Sequence, residues 1–203
     1  MMILDGKKVS ARIKAEAAKE VEALKEKGIK PCLAVVLVGN DPASKVYVRN
    51  KKRACEEVGI ISSEYVLPEE TTQEQLEELI DTLNESENTD GILVQLPLPK
   101  HLDEKAVINR ISVNKDVDAF HPVNVGKIMI GDYDFLPCTP AGVMELIKES
   151  GIDVAGKHCV VVGRSNIVGK PQAMLLLHQN GTVTVCHSKT ANLKEECLRA
   201  DII

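Results

Sequence analysis

Apolar and polar residues follow two recurring patterns along this chain. Short continuous apolar runs such as Leu33–Val38 are typical of buried parallel strands. Elsewhere, apolar residues recur three or four positions apart among Lys and Glu, which is typical of amphipathic helices. The two patterns succeed one another through most of the sequence, as they do in βαβ units. We therefore predict an α/β fold with parallel sheets.

The first group of predicted elements occupies the N-terminal two thirds of the chain. Helices are predicted over 9–27, 43–58 and 103–110, with strands over 33–38, 60–67 and 91–95. Thr72 and Gln75 have the spacing of a capping box and mark the start of a further helix that contains Leu76 and Leu83. Residues 114–134 are rich in Asp, Gly, Asn and Pro, so a loop is predicted there.

A second group of elements begins near Pro137. Thr139 suits a helix N-cap and Pro140 the first helical position, so we place a domain boundary between residues 138 and 139. The predicted order is then a helix to about 151, a strand over 158–162, a glycine turn, a helix to about 180, a strand over 182–186 and a helix over 193–199. A new strand opens at residue 201, where the chain stops, and we expect this second sheet to be incomplete.

Composition narrows the functional classes. The chain has 203 residues, 25 Lys plus Arg against 30 Asp plus Glu, and a formal net charge of -5, so it lacks the basic surface that nucleic-acid binding demands. No apolar stretch is long enough to cross a bilayer, and the N-terminus carries charges too early for a secretory signal. The six cysteines are widely spaced and predict reduced thiols. We expect a soluble cytoplasmic protein with no nucleic-acid or membrane partner.

One helix carries the most informative pattern. At 100° per residue, Lys51 is the single charge on an otherwise apolar face, and Tyr47 precedes it by one turn. The face is formed by Ala43, Tyr47, Val48, Lys51, Ala54, Cys55 and Val58. A lysine against an apolar wall gives up its proton more readily, which suits acid/base chemistry. The alternative is that its stem packs while its ammonium reaches water.

Two further polar positions are candidates for ligand contact. Gln95 ends an apolar strand, and ligands of open α/β sheets gather at the carboxyl ends of strands. It could equally bond the proline loop that follows. Asp116 and Asp118 lie two residues apart in a predicted loop, where acids bind ligands or simply form turns. No neighbouring residue completes a metal shell, and none is predicted.

A glycine-containing turn, Gly163–Pro171, joins a predicted strand to a predicted helix, where phosphate-binding turns belong. It is neither a P-loop nor a standard G-x-G-x-x-G, since Ser165 and Val168 occupy the second and third glycine positions. The next strand ends without an acid for a ribose hydroxyl but offers Ser188 and Lys189. These groups favour NADP over NAD.

Five motifs in order resemble one known family. They are residues 44–51 around Tyr47 and Lys51, 90–99 around Gln95, 115–118, 137–140 and 163–171. Together they closely resemble the bifunctional methylenetetrahydrofolate dehydrogenase/methenyltetrahydrofolate cyclohydrolase family, over the whole chain. The resemblance implies a folate-binding catalytic domain (1–138), the first part of an NADP-binding, Rossmann-like, doubly wound domain (139–203), a cleft between them, and homodimers.

The resemblance also implies residue roles. Lys51 would be the catalytic lysine, Tyr47 would stack on the folate, Gln95 would orient Lys51, and Asp118 would receive the amide-like edge of the pterin ring. The residues that match the cofactor positions are Gly163, Arg164, Ser165 and Ser188. The implied activity is NADP-dependent oxidation of 5,10-methylenetetrahydrofolate followed by hydrolysis to 10-formyltetrahydrofolate, in one-carbon metabolism.

Two departures from the family pattern matter. Ala119 stands where the family usually has Gly, and its methyl should matter little if its φ is negative. The family also continues beyond residue 203 through the rest of the cofactor sheet and a segment that returns to the folate site. A truncated, non-catalytic folate or nucleotide binder is therefore an alternative to the enzyme. An unrelated dehydrogenase would leave the first domain's motifs unexplained.

Overall fold

The computed structural model describes residues 3–203, which form two compact units. The first unit is Ser10–Val117, and the second is Asp118–Ile203 with the described residues that precede Ser10. Residues 118–138 thus group with the second unit, because the helix within them packs on a later helix of that unit. The functional domain boundary at 138/139 stays a prediction.

The first unit contains most of the helical and strand residues of the chain. In chain order, its elements are α1 (Gly6–Glu26, which begins before Ser10), β1 (Cys32–Val38), α2 (Pro42–Val58), β2 (Ile61–Leu67), α3 (Gln73–Glu85), β3 (Gly91–Val94) and α4 (Glu104–Arg110). The predicted bounds agree with these to within three residues.

A three-stranded parallel sheet organises the first unit. Its strand order is β2-β1-β3, with Cys32 opposite Ile61 and Leu33 opposite Gly91. Parallel neighbours cannot be joined by a tight turn, so α2 and α3 provide the crossovers and cover the sheet. The central strand β1 is buried along almost its whole length for that reason.

The side chains of β1 alternate between two apolar clusters. Ala34, Val36 and Val38 join the larger one, on the side that α3 and α4 cover. Val35 and Leu37 contact the smaller one with Val48 of α2 and Leu93 of β3. Fully buried side chains from α3 and α4, such as Leu76, Ile80 and Val107, close the larger cluster.

The second unit has a smaller parallel sheet. Its elements are α5 (Pro122–Ile130), α6 (Cys138–Ser150), β4 (His158–Val162), α7 (Gly169–His178), β5 (Thr182–Cys186) and α8 (Leu193–Leu198). Strands β4 and β5 pair in parallel from His158 opposite Thr182. The core cluster contains Val154, Cys159 and Leu176. In place of the strand predicted from residue 201, the chain forms an isolated parallel bridge between Ile202 and Cys159.

Two local predictions are wrong. The predicted loop 114–134 contains α5, which has Pro122 in its first turn and ends at Gly131, a left-handed C-cap. The His178 imidazole lies 2.8 Å from the Ile128 carbonyl and fixes α5 on α7. Helix α6 starts before Thr139, with Pro137 at the N-cap and no side-chain capping bond.

The predicted free thiols and the predicted capping box are confirmed. All six cysteines are free thiols, and burial raises the pKa of both Cys55 and Cys159. Among residues 3–203, no helix is both long and apolar enough to cross a membrane. The capping box is also present, since Thr72 Oγ1 accepts from the Gln75 amide at 3.3 Å and Gln75 Oε1 accepts from the Thr72 amide at 2.9 Å.

This capping box gives a test of the first unit's stability. Thr72→Ala removes the acceptor for a helix N–H and is expected to lower the free energy of unfolding by about 1 kcal/mol, whereas Thr72→Ser keeps that acceptor and should change it little. Urea denaturation of the two variants measures the difference. Equal stability of the alanine and serine variants would show that the cap contributes nothing.

Candidate functional site

Lys51 and Gln95, which the family resemblance already relates to each other, form a direct hydrogen bond. Lys51 Nζ donates to Gln95 Oε1 at 3.1 Å, and both side chains are partly buried. Among the described residues, no carboxylate forms an ion pair with Lys51. An amide oxygen orients the amine by accepting one of its hydrogens and brings no formal charge next to it.

The fold of the first unit brings this pair together. β3 ends at Val94, but the backbone N–H of Gln95 still donates to the Val36 carbonyl at 2.8 Å. Gln95 therefore remains at the carboxyl edge of the sheet. Helix α2 packs its Val48 against the sheet and carries Lys51 one turn later along the same side. Polar groups at this edge are well placed to meet a ligand.

The Gln95 amide has a defined orientation. Its Nε2 donates to the neighbouring Leu96 carbonyl at 2.7 Å, which leaves Oε1 to accept from Lys51. The predicted bond to the proline loop is therefore present, and the same side chain also accepts from Lys51. A reversed amide would set an N–H against an ammonium and leave the carbonyl without its donor.

The predicted apolar face of α2 is only half buried. Val48, Cys55 and Val58 are buried, as the helical spacing indicates, but Tyr47 is 60% exposed and Ala43 is also exposed. Fewer residues of the apolar face of α2 are buried than the helical spacing predicts. An exposed aromatic ring one turn before Lys51 is therefore available to stack on a planar ligand.

The loop after α4 carries the two predicted acids. Asp116 is almost completely buried, and its backbone forms a parallel bridge with Ile92 of β3. Asp118 is partly buried and begins the second unit. Gly91 allows Val117 to approach, since a Cβ on Gly91 would lie 2.5 Å from Val117 Cγ1.

Ala119 adopts a left-handed backbone conformation. Its φ is +55°, and the residue is completely buried. A small effect of the alanine methyl was expected only for a negative φ, and the φ of Ala119 is positive. A non-glycine residue in this region carries a backbone penalty of about 1–2 kcal/mol, which the burial of its methyl offsets in part.

The glycine turn of the second unit is very tight. A Cβ on Gly169 would lie 2.4 Å from the Gly163 carbonyl oxygen, so only glycine fits where α7 begins. Ser165 Oγ accepts from the Val168 and Gly169 amides at 3.2 Å each. The hydroxyl hydrogen of Ser165 remains available to donate to a ligand.

The end of β5 lies beside this turn. The Gly163 amide donates to the Cys186 carbonyl at 2.8 Å, so Arg164 and the segment that begins at His187 belong to the same edge of the sheet. Arg164 and Ser188 are both exposed there. A guanidinium and a hydroxyl at the carboxyl edge, next to a helix N-terminus, suit a phosphorylated ligand.

Family models match both units. Residues 4–118 match the tetrahydrofolate dehydrogenase/cyclohydrolase catalytic domain, and residues 137–203 match the NAD(P)-binding domain of the same family. The chain belongs to the tetrahydrofolate dehydrogenase/cyclohydrolase family. The resemblance inferred from the five motifs is thereby confirmed, together with the two α/β domains.

Similar proteins cover the whole of this chain. The bifunctional protein FolD of Acetivibrio thermocellus is 69% identical over 201 residues, which make up 99% of this chain and 70% of that relative. The bifunctional FolD dehydrogenase/cyclohydrolase of Campylobacter jejuni is 51% identical with a TM-score of 0.96, over 100% of this chain and 72% of that structure. FolD of Trypanosoma brucei, solved with NADP and an inhibitor, is 38% identical with a TM-score of 0.94, over 100% of this chain and 70% of that structure.

The second unit fits the dinucleotide that its family model names. The strand β4, the tight turn and the N-terminus of α7 form the arrangement that receives a pyrophosphate, and Gly169 keeps the space that a Cβ would fill. β5 ends at Cys186, and His187-Ser188-Lys189 follows it directly, with no acid among these residues. This donor set suits a 2′-phosphate better than a free 2′-hydroxyl.

Two important residues escaped the sequence analysis. Gly169 lies inside the predicted turn, but its requirement for glycine appears only once the turn is folded. Lys115 opens the motif 115–118, and the sequence predicts no role for it, yet its ammonium contacts two carbonyls of α3 and the carbonyl of the C-cap, Ser86. No local pattern signals the second feature, because its partners lie about thirty residues earlier in the chain.

Replacing Gly169 tests the turn. Gly169→Ala forces its methyl against the Gly163 backbone and should lower the free energy of unfolding by more than about 2 kcal/mol and weaken NADP binding. Gly142→Ala is the matched control. Gly142 lies within α6, and a Cβ at this residue would have nothing within 4 Å of it. The control should be neutral or stabilising by up to about 1 kcal/mol. Denaturation curves and NADP titrations that did not distinguish the variants would contradict this account.

Proposed function

We propose that this chain catalyses NADP-dependent oxidation of 5,10-methylenetetrahydrofolate to the 5,10-methenyl cation and its hydrolysis to 10-formyltetrahydrofolate. The observation that carries the proposal is the hydrogen bond from Lys51 to Gln95 at the carboxyl edge of the first sheet. The family membership supports the chemistry, and the residues supply the groups that it needs.

The oxidation requires positioning more than proton transfer. NADP, when bound, accepts the hydride that leaves the methylene carbon. The exposed ring of Tyr47 offers a surface for the aromatic part of the folate, and Asp118 is proposed to accept from the amide-like edge of the pterin. These contacts would hold the methylene carbon in the orientation that hydride transfer requires.

The hydrolysis requires a group that moves protons. Water adds to the methenyl carbon and loses one proton, which gives a neutral carbinolamine. The bond from that carbon to N5 then breaks as N5 gains a proton and the hydroxyl loses its own, which leaves the formyl group on N10 and releases one proton overall. Lys51 is proposed to make these transfers in turn, while Gln95 holds one N–H of its amine and thereby directs the rest of the group. The amide partner fixes the direction of the amine without forming an ion pair with it.

The cofactor is proposed to bind at the glycine turn of the second unit. Gly163 and Ser165 would line the pyrophosphate, and Arg164 and Ser188 would contact the 2′-phosphate.

We also propose that the protein is a cytoplasmic homodimer that serves one-carbon metabolism and purine biosynthesis. A mass of twice the 22.2 kDa of one chain, measured by sedimentation equilibrium, would support the dimer.

Replacement of Lys51 is the decisive test of this function. Lys51→Met should lower the rate of methenyltetrahydrofolate hydrolysis by about 10²–10⁴-fold, because the proton-transferring amine is lost. Lys52→Met is the matched control on the same helix, since Lys52 is exposed and pairs with Glu64 at 3.2 Å. The loss of methenyl absorbance measures both. Unchanged hydrolysis by the Lys51 variant would refute its role.

Cofactor preference is tested at Arg164. Arg164→Ala should raise the KM for NADP about tenfold or more and leave the KM for NAD unchanged, because only NADP carries the phosphate that the guanidinium would contact. Initial rates with 5,10-methylenetetrahydrofolate and each cofactor provide the comparison. An equal rise for both cofactors would place Arg164 elsewhere along the dinucleotide.

A further inference from the structure

Lys115 fastens the loop after α4 to the end of α3. Its Nζ donates to the carbonyls of Leu83 at 3.0 Å, Asn84 at 2.8 Å and Ser86 at 2.7 Å. An ammonium has three hydrogens, so all of its donors are used. The carbonyls of the last helical turn have no intrahelical partners and carry partial negative charge, which favours a cation at this position.

The same loop is held at two further points. Asn84 Nδ2 donates to the Arg110 carbonyl, and Asn84 Oδ1 accepts from the Ser112 amide, each at 2.8 Å. The Lys115 carbonyl accepts from the Ile92 amide at 2.7 Å, which joins the loop to β3. The backbone of residue 115 is thus fixed to the sheet while its side chain is fixed to α3.

We propose that Lys115 is a positioning residue for tetrahydrofolate binding, which acts through Asp118. Only Asp116 and Val117 separate the two residues, so the anchor at Lys115 limits where the Asp118 carboxylate is presented. The partly buried ammonium has no remaining donor with which to contact a ligand itself. This inference rests on the proposed function, since it assumes that Asp118 contacts the folate.

A double-mutant cycle tests the proposal. Lys115→Met keeps the aliphatic stem but removes the ammonium, and it should raise the Kd for tetrahydrofolate about tenfold, because a displaced contact group loses much of its binding. In an Asp118→Ala background the same change should raise the Kd less than twofold. Titration calorimetry measures each Kd, and the Kd for NADP should be the same in all four proteins.

Arg110→Met is the matched control. Arg110 also joins α4 to α3, through Asp81 at 2.7 Å, and the guanidinium holds the pKa of the Asp81 carboxyl below its usual range. That ion pair is solvent-exposed and does not hold the loop beyond residue 110, so its loss should leave tetrahydrofolate affinity unchanged. Asn84→Ala loosens the loop at Ser112 and should act in the same direction as Lys115→Met, with a smaller change.

The outcomes distinguish the positioning role of Lys115 from the proposed contact between Asp118 and the folate. A tenfold loss with Lys115→Met in both backgrounds would show that Lys115 acts independently of Asp118 and would overturn the proposal. Unchanged affinity of both Lys115→Met and Asn84→Ala would overturn it as well, and Asn84→Ala decides the matter where the methionine variant does not fold. Unchanged affinity with Asp118→Ala, or no tetrahydrofolate binding by the unaltered chain, would refute the proposed contact itself.

Discussion

The parallel arrangement of the strands is the constraint on which the two units depend. A parallel neighbour can be reached only by a crossover, so each strand is followed by a helix or a long connection, and all strands of a sheet end at one edge. Gln95 lies at that edge of the first sheet, and the turn from Gly163 lies at the corresponding edge of the second. The polar groups proposed for chemistry therefore follow from how the strands are connected.

Burial and ligand contact make different demands on α2. The helix must cover β1, which it does with Val48, and it must also present groups beyond the edge of the sheet. The narrow contact arc satisfies both demands, since it leaves Tyr47 exposed and Lys51 partly buried. A wider contact would stabilise the helix but would remove the tyrosine ring from any ligand.

Local patterns predicted most of the fold because each element carries its own signals. The apolar run of β1, the Thr72 capping box and the glycine after α2 are all readable within a few residues. α5 was missed because its Asn and Gly content is typical of loops, although the proline at its start and Gly131 at its end were signals for a helix. The bond between Lys51 and Gln95 could be expected only from the family resemblance, and the contacts of Lys115 depend on tertiary structure that no local spacing reveals.

The turn before α7 is formed by its own hydrogen bonds. Ser165 Oγ accepts from two amides of the helix start, and Gly163 is tied to the end of β5. The conformational entropy of this segment is therefore lost when the chain folds, and little remains to be lost when a ligand arrives. Such a rigid receptor should bind its ligand with a small change in heat capacity and a rapid association rate, since the receiving surface does not have to reorganise.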